Sequence, residues 1–178
     1  MKFFFTLIFF IVTYSFNANS NSNLVFLDMQ KILTTSKPGS SLIKKIDQLN
    51  KNNIKNFKLS ENNLKKKEEE ILLKKNVLSK SDFEKEVIEL RTAVKNYNKQ
   101  KTSTIENFNK IKIEKTKKFF QLLTPILSEY ADKKSIDLIF QKKNLVIGKL
   151  ELDITEDIIK IVNNQIKELN LNEKWFFE

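Results

Sequence analysis

Between about Ser40 and Asp132, apolar residues recur every three or four positions on a heavily charged background. One stripe runs through Leu42, Ile46, Leu49, Phe57, Leu64, Ile71 and Leu78. A second runs through Phe83, Val87, Leu90, Val94, Tyr97, Ile105, Phe108, Ile111, Phe119, Leu122 and Ile126. Steps of three, four and seven are the mark of helices that zip along a narrow seam. The stretch contains no Gly, and its only Pro is Pro125. Between the stripes, Ser81 and Glu84 have the spacing of a capping box. One helix is therefore expected to end near Leu78 and the next to start near Asp82. So short a connection forces an antiparallel hairpin. At ~1.5 Å per residue this arm projects on the order of 55–60 Å.

With the turn at residues 79–82, Ile71 is expected to face Leu90, Leu64 to face Tyr97, Ser60 to face Lys101 and Ile46 to face Lys115. A seam lysine must carry its ammonium out to water, so the layers of Lys101 and Lys115 should pack loosely. Pro125 lacks an N–H and clashes with the preceding turn, which predicts a kink or break near the arm's base. Ser60, Lys101 and Pro125 are thus the expected hinge of the arm.

The flanking segments are short. Met1-Lys2, the apolar run Phe3 to Tyr14 and the small residues Ala18 and Ser20 form a secretory signal peptide cut after Ser20. The apolar run falls below the ~20 residues that span a bilayer. Leu24 to Leu27 reads as a buried strand, and Asp28 to Leu33 as a turn into one or two helical turns. Lys37-Pro38-Gly39 breaks that helix. Beyond the arm, Ile136 to Phe140 and Leu145 to Ile147 read as two more strands. Thr155 can cap a last helix carrying Ile158, Ile161, Val162 and Ile166. The expected division is signal peptide 1–20, first strand and start of a body 21–39, arm 40–132, remaining strands and closing helix 133–169, and a tail 170–178 containing Trp175-Phe176-Phe177. The class is α+β. Three short strands and a short helix bury too little to be stable alone, so oligomerisation is expected to complete the body.

Composition narrows the chemistry. The chain has no Cys and no His, which removes thiolate nucleophiles, disulfides, Ser-His triads and most zinc sites. Two glycines cannot build a phosphate-cradling loop. The carboxylate runs, such as Glu68-Glu69-Glu70, fall beside lysines at helical spacing and read as ion pairs. No catalytic, cofactor or metal residues are expected, and the chain reads as a non-enzyme. The net charge is +10. Residues 40–132 hold 21 Lys/Arg against 13 Asp/Glu, so most of that excess lies on the arm. Lys95, Lys99, Lys110 and Lys117 fall on its face away from the seam. Such a surface attracts acidic unfolded chains and anionic lipid headgroups. Nucleic acid is set aside, because no binding motif is present and the aromatics sit in the seam rather than on a basic face.

The order of these segments resembles the Skp/OmpH family of periplasmic chaperones. The residues that carry it are Val25-Phe26-Leu27-Asp28-Met29-Gln30-Lys31-Ile32-Leu33 with Lys37-Pro38-Gly39, then Thr124-Pro125-Ile126-Leu127, Ile136-Asp137-Leu138-Ile139-Phe140 and Asp153-Ile154-Thr155. The resemblance covers about Leu24 to Lys167. It implies a homotrimer whose arms enclose a cavity holding unfolded outer-membrane proteins, without ATP. The small β body would then be completed by homotrimerisation, with Val25, Phe26, Leu27, Ile136, Leu138 and Phe140 in an intersubunit sheet lacking helix cover in its own subunit. The implied role is a soluble periplasmic holdase. The alternative is a structural coiled-coil spacer or tether of the cell envelope.

Overall fold

A computed structural model of the chain describes residues 22–166. The expected signal peptide and the Trp-Phe-Phe tail lie outside the described residues. In order, the elements are β1 (Leu24–Leu27), α1 (Met29–Thr35), α2 (Lys37–Leu73), α3 (Lys80–Lys134), β2 (Leu138–Gln141), 3-10 turns at Lys142–Asn144 and Leu150–Leu152, and α4 (Thr155–Gln165). The class is α+β. The long helices α2 and α3 are the two expected stripes.

Local chemistry sets each boundary. Asp28 caps α1 by accepting from Lys31 N at 2.9 Å. Ser36 both follows α1 and caps α2, its hydroxyl accepting from Gly39 N at 3.2 Å. Pro38 sits in the first turn of α2, where a missing N–H costs nothing. Lys37-Pro38-Gly39 thus ends one helix and begins the next. Gly39 is there because a Cβ would lie 2.2 Å from the Leu33 carbonyl oxygen. At the far end of the arm, α2 stops at Leu73, earlier than expected, and residues 74–79 make the turn. The cap of α3 is Ser79 rather than Ser81. Its hydroxyl accepts from Asp82 N at 3.1 Å and donates to the Asp82 carboxylate at 2.6 Å. The Ser79/Asp82 pair has the same three-residue spacing as Ser81/Glu84, with an acid whose side chain is one methylene shorter. Helix α3 then runs through Pro125 without a break. It ends at Ser135, which adopts the left-handed conformation at φ 51° and lets Ile136 N reach Ala131 O at 2.9 Å.

The two strands pair in parallel, with Leu24 opposite Leu138 and Leu27 opposite Gln141. Parallel strands need a long crossover; here the whole arm is that crossover. The far edge of β1 is covered by Asp153, and Ile154 N donates to Phe26 O at 2.9 Å. The expected third strand, Leu145 to Ile147, is irregular instead. No strand of its own chain lies beside it among the described residues, and Val146 and Ile147 stand almost wholly exposed. Thr155 does not cap α4 either. It is the first helical residue, and Asp153 Oδ1 takes its amide at 3.0 Å and its hydroxyl as well.

The body is not bare. Leu27, Ile32, Leu42, Phe119, Leu123, Ile158 and Val162 are fully buried in one cluster. That cluster joins β1, α1, α4 and the bases of both arm helices. Val25 and Leu27 are therefore covered within their own subunit, and Phe26 on the opposite face is buried against Gly148. This corrects the expectation of a β1 without helix cover: the arm bases and α4 supply the apolar faces that short strands lack.

Candidate functional site

Two surfaces are left open by this packing. The first is the arm. Near its tip, Leu64, Ile71, Phe83, Leu90, Val94 and Tyr97 line a groove of about 650 Å³ along the α2–α3 seam. Ile71 with Leu90, and Leu64 with Tyr97, share this groove as the stripe pattern predicts. Side chains beyond the seam at the tip, including Leu73 and Val77, are exposed.

At mid-arm the expected loose layer is replaced by a clasp. Glu61 Oε1 accepts from Tyr97 OH at 2.6 Å and from Lys101 Nζ at 2.7 Å. The same ammonium lies 5.5 Å from the Phe57 ring centroid and 5.7 Å from that of Tyr97. Lys101 thus sits between Phe57 and Glu61, one turn apart on α2, while Ser60 stands exposed. The reason is geometric, because a seam side chain enters a hole between partners one turn apart rather than meeting one residue head-on. Lys115, the other seam lysine, is only 5% exposed rather than reaching water. No buried side-chain polar atom among the described residues lacks a hydrogen-bond partner. Of the expected hinge residues, then, Ser60 and Pro125 lie on the exposed surface and Lys101 is held in the clasp.

The clasp shifts its own titration. Hydrogen bonds from Lys101 and then Tyr97 hold the Glu61 carboxyl below the ordinary value of 4.5. The Glu61 hydrogen bond raises Lys101. Burial, followed by the Glu61 bond, raises Tyr97. A depressed carboxyl contributes stability that is complete above its ordinary pKa and is lost as pH falls through the lowered value. An NMR titration of the Glu61 carboxyl should therefore show a midpoint below 4.5, and Lys101→Met should move it upward. An unchanged midpoint in that variant would mean the clasp does not persist in solution.

Lys95, Lys99, Lys110 and Lys117 are exposed as expected. Lys110 makes only a loose pair with Glu114 at 3.9 Å, of the kind that contributes little. Lys95 and Lys99 make no ion pair among the described residues.

The second open surface is the outer side of β2. Leu138 is 56% exposed and Phe140 41%, whereas Ile136 is partly buried beside the core. Further along the chain, Val146, Ile147 and Leu150 project from the segment after the strand. That segment is anchored from beneath. Gly148 presses on Phe26, where a Cβ would come within 2.7 Å of the ring. Lys142 Nζ stands 5.8 Å from the same ring centroid and pairs with Asp153 at 3.0 Å. Burial pushes the Asp153 carboxyl up, but the Thr155 hydroxyl, the Thr155 amide and Lys142 together hold it below its usual value. Thr155 Oγ1 in turn accepts from Asp28 N at 2.8 Å, tying α4 to the start of α1. Sequence reasoning missed both this knot and the clasp. The signal for the clasp was a lysine in the seam one turn from a tyrosine.

Among the described residues, no group of His, Cys, Asp or Glu is arranged to hold a metal ion, and no helix is long and apolar enough to cross a membrane.

A long antiparallel helical hairpin on a small α+β body, open along the arm and at one sheet edge, defines an arm-and-body protein. Residues 23–162 match the family described as outer membrane protein (OmpH-like), and the chain belongs to that family. Its fold is that of a Caulobacter crescentus CB15 protein described as an OmpH-like outer membrane chaperone, with a TM-score of 0.78 at 10% identity over 84% of this chain and 88% of the other. No curated protein matches the sequence.

Proposed function

We propose that this chain is an ATP-independent holdase of the periplasm that, as a homotrimer, cages unfolded outer-membrane proteins between its arms. The observation that carries the reading is the exposed apolar surface at β2 and residues 146–150 on a body that is otherwise well packed. Patches of this kind mark contact sites. Copies joined there would project their arms from one hub. Family membership and the description of the Caulobacter protein support a chaperone role. The arm's basic excess suits acidic unfolded chains, and an anionic lipid surface is proposed as a further partner. Export would remove residues 1–20 and leave Asn21 at the mature N-terminus.

The test is to dilute a urea-unfolded β-barrel outer-membrane protein into the mature chain without nucleotide and follow light scattering. The holdase should keep its client soluble at about one trimer per client. Aggregation at the rate of the client alone would favour the envelope spacer or tether instead.

A further inference from the structure

Residues 142–152 leave the end of β2 and return to the sheet at Asp153. Side chains alternate along a strand, and the register sets Leu24 beside Leu138 and Phe26 beside Phe140. These four share one face of the sheet, while Val25, Leu27 and Ile139 point the other way, into the core. Gly148 lies on the Phe26 ring, with no room for a Cβ between them. The segment is therefore a strap across the outer face of the sheet, ending at the far edge of β1. Its backbone supplies little order of its own. The amides of Leu145 and Leu152 reach back only three residues, to Lys142 O and Lys149 O, both at 3.1 Å. Side chains supply the rest, through one shared carboxylate. Asp153 Oδ2 accepts from Lys142 Nζ at 3.0 Å, at the start of the strap. Asp153 Oδ1 takes the amide and hydroxyl of Thr155, at the start of α4. The Lys142 ammonium also faces the Phe26 ring, on which the middle of the strap rests. Start, middle and end are thus drawn together at Phe26.

What the strap turns outward is apolar. Val146, Ile147 and Leu150 stand almost wholly in water. A free loop of this length would turn such side chains inward, onto the exposed Leu138 and Phe140 of the same face. Here they are held out. We infer that Lys142, Asp153 and Thr155 form a latch that sets the strap in its assembly-ready form, so that copies of this chain dock as preformed surfaces. This deepens the homotrimer reading and rests on it. The occupant is a second copy because the outer edge of β2 has no partner strand among the described residues. A sheet of two short strands is too small to stand alone, and another copy brings both a strand and a strap. Ordering a loop at the moment of binding costs affinity, and a loop ordered beforehand avoids that cost. The latch residues are positioning residues: they act on association through Val146, Ile147 and Leu150.

The test follows sedimentation of the full mature protein over a concentration series. Lys142→Met keeps the aliphatic stem over Phe26 and removes the ammonium. Lys142 is half-exposed, so circular dichroism should show the same helix content. A two- to fivefold loss of assembly-ready subunits enters three times in a trimer, so the overall association constant should fall roughly ten- to hundredfold. Lys142→Arg should stay near the unmodified value, because a guanidinium can meet the same carboxylate. Asp153→Asn keeps an oxygen for Thr155 and loses only the pair with Lys142. Combined with Lys142→Met, it should weaken assembly no further than either change alone. A second measurement needs no assembly. In the Leu138→Asp background, Lys142→Met should speed amide exchange at Leu145 and Leu152 and leave Leu123 and Val162 unchanged. Normal assembly of Lys142→Met, additive effects of the two changes, or unaltered exchange would each overturn the latch and leave the homotrimer reading intact. If the unmodified chain stayed a single subunit at every concentration, the homotrimer reading would fall, and the role of the latch with it.

Discussion

Leu138→Asp is expected to convert the proposed homotrimer into folded monomers. In the single subunit Leu138 is more than half exposed and its register partner Leu24 is exposed too, while the core residues Val25 and Leu27 pair with Ile139 and Gln141. A carboxylate there stays in water as long as the subunit is alone. If β2 and residues 146–150 meet another copy, the same carboxylate is buried, at a cost on the order of 3–5 kcal/mol per contact. That is a factor of roughly a hundred to several thousand in the association constant. Sedimentation should show a mass near that of one subunit, with unchanged circular dichroism. A variant that still sediments as the unmodified assembly would place the contact elsewhere. Loss of helix content would mean that the subunit cannot stand without its partners.

Gly39→Ala should be among the most damaging single-methyl changes in the chain. Two effects oppose each other. Gly39 lies within α2, where alanine is intrinsically better by about 1 kcal/mol. The added Cβ, however, would fall 2.2 Å from the Leu33 carbonyl oxygen and 2.8 Å from Ser36 Oγ. The first of these is backbone and cannot swing aside. Opening the α1–α2 junction also strains the Ser36 cap, so overpacking and a weakened cap together outweigh the propensity gain by about 2–3 kcal/mol. Urea unfolding followed at 222 nm should show the midpoint move down, while Ser40→Ala, one residue on, should change it little. A Gly39→Ala protein as stable as the original would show that the close approach does not exist in solution.

These cases show which parts of the molecule a sequence can reveal. The heptad steps of Phe57, Leu64 and Ile71 made the arm visible because a two-helix seam is a one-dimensional code. The tip layers followed from it. The Glu61 clasp was hidden because it depends on which hole a lysine enters, and that is set by the helices together. The cap moved from Ser81 to Ser79 because both serines satisfy the same local rule and only the turn geometry decides between them. Val146 and Ile147 read as a strand because β-branched, apolar residues suit strands. Without a neighbour in their own chain they remain irregular. The covered β1 was misjudged for a related reason: its cover comes from Phe119, Leu123 and α4, all more than 90 residues away in sequence.

The parallel pairing of β1 with β2 also dictates an order of folding. Residues 28–137, 110 in all, separate the two strands, so neither can pair until the whole arm exists. Closing a flexible loop of that length is slow and entropically costly. The arm removes most of the difficulty. Its six-residue turn at 74–79 is a short closure, and the seam can zip from there towards the base one layer at a time. Relative to direct closure of 110 residues, starting from a six-residue turn lowers the entropic cost by about 2.5 kcal/mol, from the logarithm of the two lengths. The hairpin therefore acts as a folding jig for the sheet. The body should be the last part to form, with β1 unpaired until the zipper reaches Leu42 and Phe119.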